Sequence, residues 1–160
     1  MMTPKQKAYL MLIYSEAIFK TMTTTYREQI RIALDKSWQW LESQSVSADE
    51  LYSDLDDGTE LHGLYIYMQM DSNEDNVLKW DNLSYALSYV VKLAYDKEGA
   101  DYLPEPIENV SDEIFDLFVE NLQALNPNYN TCLHQVDNFV QKQEVITKEE
   151  AIKELSVFGL

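Results

Sequence analysis

The chain has 160 residues, 46% of them apolar, and carries 28 Asp and Glu against 12 Lys and Arg for a formal charge of −16 at pH 7. That length and apolar content fit one domain, residues 1–160, with a substantial core; they exclude intrinsic disorder, and no apolar run reaches the ~18 residues of a membrane span. A field this negative repels nucleic acid and anionic lipid and attracts basic partners, so neither nucleic acid nor a membrane is expected as a direct partner.

Helical spacing dominates the pattern. Thr3 and Pro4 read as a cap followed by proline at the first helical position. Ala8, Met11, Leu12, Ser15, Ile18 and Phe19 then form one face of a helix running to about residue 22. A second helix follows from about Tyr26, burying Tyr26, Ile30, Ala33, Leu34, Ser37, Trp38 and Leu41, with Lys36, Trp40 and Glu42 off that stripe. Ser47 and Glu50 form a capping box for a short helix with Leu51, Tyr52 and Leu55 inward. Its end is acidic, Asp54 to Gly58, which opposes the helix dipole and points to a role beyond folding. Residues 60–70 fit a helix better than a strand, given their helical neighbours. Asp71 to Asn76 offers caps for the longest periodic segment, near residues 76–98. There Val77, Trp80, Leu83, Ser84, Leu87, Val90, Val91 and Ala94 make the stripe, and Gly99 closes it in the left-handed conformation.

Residues 102–106 read as an extended connector, because each proline biases its predecessor away from helix. Ser111 to Leu125 reads as a helix with Ile114, Leu117, Phe118, Asn121, Leu122 and Leu125 inside. Asn126 to Asn128 turns the chain into a helix over 129–142, with Cys132, Val136, Phe139 and Val140 inward. Thr147 to Glu150 is a second capping box for a short last helix carrying Ile152, Leu155 and Phe158. The expected fold is all-α, a single-domain bundle of about seven to eight helices around the central helix near 76–98.

Little of the side-chain chemistry is catalytic. Asp71, Asn73 and Asp75 have the spacing of a calcium loop, but Asn76 and Asn82 stand where such a loop needs Gly and a bidentate Glu. Cys132 and His134 lack the other two ligands of a zinc site, and Cys132 lies on an apolar stripe, as a structural cysteine does. No phosphate loop, metalloprotease helix or nucleophile elbow is present. Neither an enzyme nor a cofactor or metal is expected. The lone cysteine and the lack of an unbroken apolar leader make the cytoplasm the expected compartment.

The charge is uneven. Residues 37–78 hold ten acids and residues 100–141 hold eight, neither stretch with a Lys or Arg, while residues 1–36 hold six cations and three acids. Pairs along one helix cannot neutralise such stretches.

The ordered series Ser37-Trp38-Gln39-Trp40-Leu41-Glu42, Leu51-Tyr52 with Leu55-Asp56, and Trp80-Asp81 with Leu83, Tyr85, Ala86 and Tyr89 resembles the bacterial polymorphic-toxin immunity proteins of immunity protein family six. Ala94-Tyr95 and Tyr102-Leu103-Pro104 continue the resemblance, which covers about residues 25–110. It implies a small helical cytoplasmic protein that binds and neutralises a cognate toxin domain, with no catalytic residues to carry over. Joined to the charge map, it makes a basic toxin, a nuclease, the expected partner. The expected contact acids are Asp54, Asp56, Asp57, Glu60, Asp71, Glu74, Asp75 and Asp81, with Trp40 and Tyr67 as apolar anchors. The alternative is an acidic helical adaptor or nucleic-acid mimic that binds another basic protein.

Overall fold

The computed structural model describes all 160 residues and is entirely helical. In chain order the helices are α1 (Pro4–Thr21), α2 (Arg27–Ser43), α3 (Ala48–Leu55), α4 (Leu64–Met70), α5 (Val77–Glu98), α6 (Glu105–Glu108), α7 (Asp112–Leu125), α8 (Pro127–Thr131), α9 (Leu133–Gln141) and α10 (Lys148–Phe158). A 3₁₀ turn over Glu74–Asn76 runs directly into α5. The all-α expectation holds, and eight of these helices have seven residues or more. No helix is long and apolar enough to cross a membrane.

Every residue of α1 from Ala8 to Phe19 is buried. A helix that is apolar around its whole circumference must be enclosed on all sides, and α2, α5, α7, α9 and α10 all pack on this one. The one-face reading of this segment is too narrow: Tyr9, Leu10, Ile13 and Tyr14 fill the other sectors. Polar groups carried inside find partners, as burial requires. The Ser15 hydroxyl donates to the Met11 carbonyl at 2.7 Å, and Tyr9 donates to the Leu41 carbonyl at 3.3 Å. Glu16 accepts from Arg31 at 2.6 and 2.9 Å and from the Trp38 indole at 2.9 Å.

The expected central helix, α5, is the second axis and packs on α1, α2, α3 and α7. Gly99 ends it at φ 67°, as its position requires. Asn82 is fully buried; its amide donates to the Phe118 carbonyl at 3.1 Å and its oxygen accepts from Asn121 at 2.9 Å, tying α5 to α7. Val77, Leu117 and Ile152, expected inside, are 58%, 43% and 42% exposed because they fall at the margins of their stripes. Trp40, expected off its stripe, is buried, since α2 is covered on more than one side.

Three segments differ from their sequence reading. Residues 60–63, expected to open a helix over 60–70, belong instead to a loop over 56–63. Asp56 accepts from the Gly58 amide, Asp57 from the Thr59 amide, and Thr59 Oγ1 from the His62 amide. Such local bonds compete with helical ones. The connector after α5 contains α6, with Pro106 in its first turn, where no N–H is needed. The helix expected over 129–142 is two helices with a break at Cys132. The Tyr129 carbonyl, which a continuous helix would give to residue 133, accepts instead from the Tyr14 hydroxyl of α1 at 2.7 Å. Cys132 is buried there, beside that hydroxyl.

Candidate functional site

The acidic stretch is mounted on α3, which is clamped at both ends. At its start the Ser47 hydroxyl accepts from the Glu50 amide at 3.1 Å, and Glu98 of α5 accepts from the Ala48 amide at 2.8 Å. Tyr95 of α5 adds a 2.6 Å bond to Asp49. At its far end Lys36 of α2 lies 3.3 Å from one oxygen of Asp54 and 3.2 Å from the other. Only the first contact is a hydrogen bond, so Asp54 Oδ2 is buried without a donor. Burial pushes the Asp54 carboxyl up from its ordinary range, and Lys36 opposes that shift.

A cleft of about 190 Å³ opens between the end of α3, the 56–63 loop, α2 and α4. Asp54, Asp57, His62 and Tyr67 line it, with Gln29 and Ile32 of α2 opposite. Asp57 is exposed. Its Oδ1 accepts from both the hydroxyl and the amide of Thr59, at 2.6 and 2.9 Å, and those bonds hold its carboxyl below the usual range. Asp56 is half-buried and spends its oxygens on Gly58 and Tyr52. Glu60 is exposed in the same loop.

Tyr67 joins this cleft to a second one. Its ring stacks on Tyr26 at 4.5 Å and 9°, and Tyr26 lines a cleft with Thr23, Thr25, Met70, Asp71 and Ser72. Asp71 is less available than the sequence implies. Its Oδ2 accepts from Trp80 Nε1 at 2.8 Å and Asn76 Nδ2 at 2.9 Å, and its Oδ1 from the Asn73 amide at 3.0 Å. It pins the α4–α5 junction. Burial resists its ionisation, but the bonds from Trp80, Asn73 and Asn76 outweigh burial and hold its carboxyl below the ordinary value. Glu74 and Asp75 beside it are exposed.

The remaining expected site residues stand elsewhere. Asp81 is half-buried on α5, where burial pushes its carboxyl up. Trp40 is 6% exposed and borders a separate pocket with Pro4, Leu93 and Lys97, so little of its ring is available to a partner. Sequence reading missed Tyr26, Ile32, His62 and Met70 at the clefts. Ile32 and Met70 are exposed apolar side chains, at 43% and 59%, and Leu61 beside His62 is 70% exposed. The available signal was Ile32 itself, an apolar residue off the buried stripe of α2.

Neutralisation is sparse here. Of the ten acids in residues 37–78, only Glu50 and Asp54 pair with a cation, and both use Lys36. Asp71→Ala is expected to cost about 1–3 kcal/mol, because Trp80 and Asn76 lose their acceptor in a buried setting. A carboxyl with a depressed folded-state pKa stabilises the fold above its unfolded pKa of about 4 and ceases to as pH falls through the lower folded value. The gap between wild type and Asp71→Ala in urea melts should therefore narrow in that acid window and stay constant from pH 5 to 8; a gap unchanged at pH 2 would contradict the assignment.

The family model described as Immunity protein Imm6 matches residues 6–125. No curated protein and no solved structure matches the chain. The matched span starts before and ends after the part in which the resemblance was legible, running from α1 through α7 and taking in α3, α4 and both clefts. Three quarters of the chain thus follows one family pattern, and the chain belongs to the Imm6 family of toxin immunity proteins.

Proposed function

We propose that this immunity protein neutralises a basic toxin domain, a nuclease, by seating the acidic face around α3 and α4 over the toxin's active site. Nucleases hold phosphate with Lys and Arg, so carboxylates set in place of phosphates satisfy the same cations. The observation that carries this reading is the run of ten acids with a single shared cation partner, folded beside exposed Ile32, Leu61 and Met70. Apolar anchors within a charged surround are the composition of an energetically focused interface. The contact acids best suited to it are Asp57, Glu60, Glu74 and Asp75, which are exposed; Asp54, Asp56 and Asp71 shape the face, and Tyr67 is its aromatic anchor.

The test is co-expression with a candidate toxin domain taken from the reading frames adjoining this gene, followed by growth rescue, co-purification and association kinetics. Glu60→Lys, Glu74→Lys and Asp75→Lys together should slow association about tenfold or more at low salt and weaken its salt dependence. The matched reversal Glu108→Lys, Asp116→Lys and Glu120→Lys makes the same change in net charge at exposed positions of α6 and α7 and should act more weakly. Equal slowing by both triples would reduce the effect to net charge. No slowing by the first would remove this face from the interface.

A further inference from the structure

We propose that the cleft between α2, α4 and the 56–63 loop is a receptor for one arginine side chain of the toxin. The inference rests on the toxin-binding reading above and names the group that this part of the face recognises.

The cleft has three elements of a guanidinium site. The first is an aromatic wall. Tyr67 lines the cleft while Tyr26 covers one face of its ring, so only the opposite face or the edge can border the opening. The stack at 4.5 Å fixes that ring in place before any partner arrives. The second is an oriented carboxylate. Both Thr59 donors converge on Asp57 Oδ1, which leaves Oδ2 open to a ligand. Lys36 serves Asp54 and Glu50, no Lys or Arg pairs with Asp57, and the neighbouring His62 ring is the one group whose charge bears favourably on its carboxylate. The third is an apolar flank, Ile32 at 43% exposure, against which the methylene stem of a long cationic side chain can lie.

Those elements select arginine over lysine. A guanidinium stacks flat on an aromatic ring and presents its N–H groups as a planar fork, whereas an ammonium is a compact, strongly hydrated point charge. The volume, about 190 Å³, suits one side chain. Small-molecule sites begin at about 300 Å³. A pocket that takes one long cationic residue beside an aromatic wall is the form of an interface hot spot.

The probe is N-acetyl-arginine-N-methylamide, titrated into ¹⁵N-labelled full-length protein. Lysine and citrulline analogues serve as comparisons, citrulline keeping the shape of arginine without its charge. Saturable shifts are expected at the amides of Gly58, Thr59, His62 and Gly63. The lysine analogue should bind about fivefold or more weakly, and citrulline should not bind. Asp57→Asn keeps an acceptor for Thr59, and Tyr67→Leu keeps an apolar side chain; each should weaken arginine binding about fivefold or more while the remaining spectrum stays folded.

Absent shifts, shifts that lysine or citrulline reproduces, or shifts that both variants leave intact would overturn the receptor. Toxin capture separates the two readings. A wild-type protein that captures the toxin but not arginine overturns the receptor alone. One that binds arginine in this pattern but captures no toxin keeps the cleft as an arginine site and overturns both the toxin reading and the assignment of that arginine to the toxin.

Discussion

Arg31→Met is expected to destabilise the protein by about 3–5 kcal/mol, because it strands a buried charge. The Glu16 side chain is 4% exposed and lies in the buried stretch of α1 from Ala8 to Phe19. Its carboxylate is held by both terminal nitrogens of Arg31 and by the Trp38 indole. Bidentate pairing of this kind is what makes a buried carboxylate tolerable. The same guanidinium reaches Asp35 at 2.8 Å, and Lys148 of α10 reaches that Asp35 oxygen at the same distance. Arg31 therefore ties α2 to α1, and Lys148 ties the last helix to α2 through the shared Asp35. The test is a pair of denaturant melts. Arg31→Met with Glu16→Gln removes both charges and leaves an acceptor for Trp38, so it should recover more than half of the loss. If the double variant is as unstable as Arg31→Met alone, the deficit comes from lost packing on Phe19, where the Arg31 guanidinium sits 5.2 Å from the ring centre, and the stranded-charge account fails.

What the sequence makes legible, and what it hides, divides along the range of the interactions involved. Apolar spacing and capping boxes are local, and they place α1, α2, α3, α5, α7 and α10 close to their observed limits. The break at Cys132 is only partly local: the Tyr129 carbonyl accepts from Cys132 Sγ at 3.4 Å and from the Tyr14 hydroxyl, 115 positions away in the chain. The same holds at the candidate site. The acids can be counted in the sequence, but their employment cannot. Asp71 reads as one more surface carboxylate until Trp80 and Asn76 are seen to occupy it. Glu60 and Asp75 look no different in the sequence, and they are exposed. The first cleft is lined by Ile32 and the second by Tyr26, both residues of the segment before the cation-free stretch. A charge map confined to residues 37–78 could not include them. The sequence reading names Tyr67 at the clefts and misses Tyr26, Ile32 and Met70.

That face is shaped by one backbone position, and Gly63→Ala is expected to cost about 2–5 kcal/mol, combining a strained conformation with a backbone clash. Gly63 has φ 113° and ψ 149°, a region closed to residues with a side chain. A Cβ there would lie 2.5 Å from the Leu55 carbonyl oxygen and 2.9 Å from Asp56 Cα. These are backbone atoms at the end of α3, which is held from both sides by Glu98 and Lys36. They cannot yield as a side-chain tip would, so the loop or the start of α4 must move. The Gly63 carbonyl accepts from the amides of Ile66 and Tyr67, so displacement of Gly63 carries Tyr67 with it. Both arginine binding and toxin capture should therefore fall further than the stability loss alone explains. Gly58→Ala is the control. It too has positive φ, 85°, but nothing lies within 4 Å of its Cβ. It should lose only the ~1–2 kcal/mol of the left-handed conformation and keep its binding. Melts of the two variants, with toxin capture measured where both remain folded, separate strain from contact. Equal losses in stability and binding would mean that the approach of Gly63 to the end of α3 does not set the shape of the cleft.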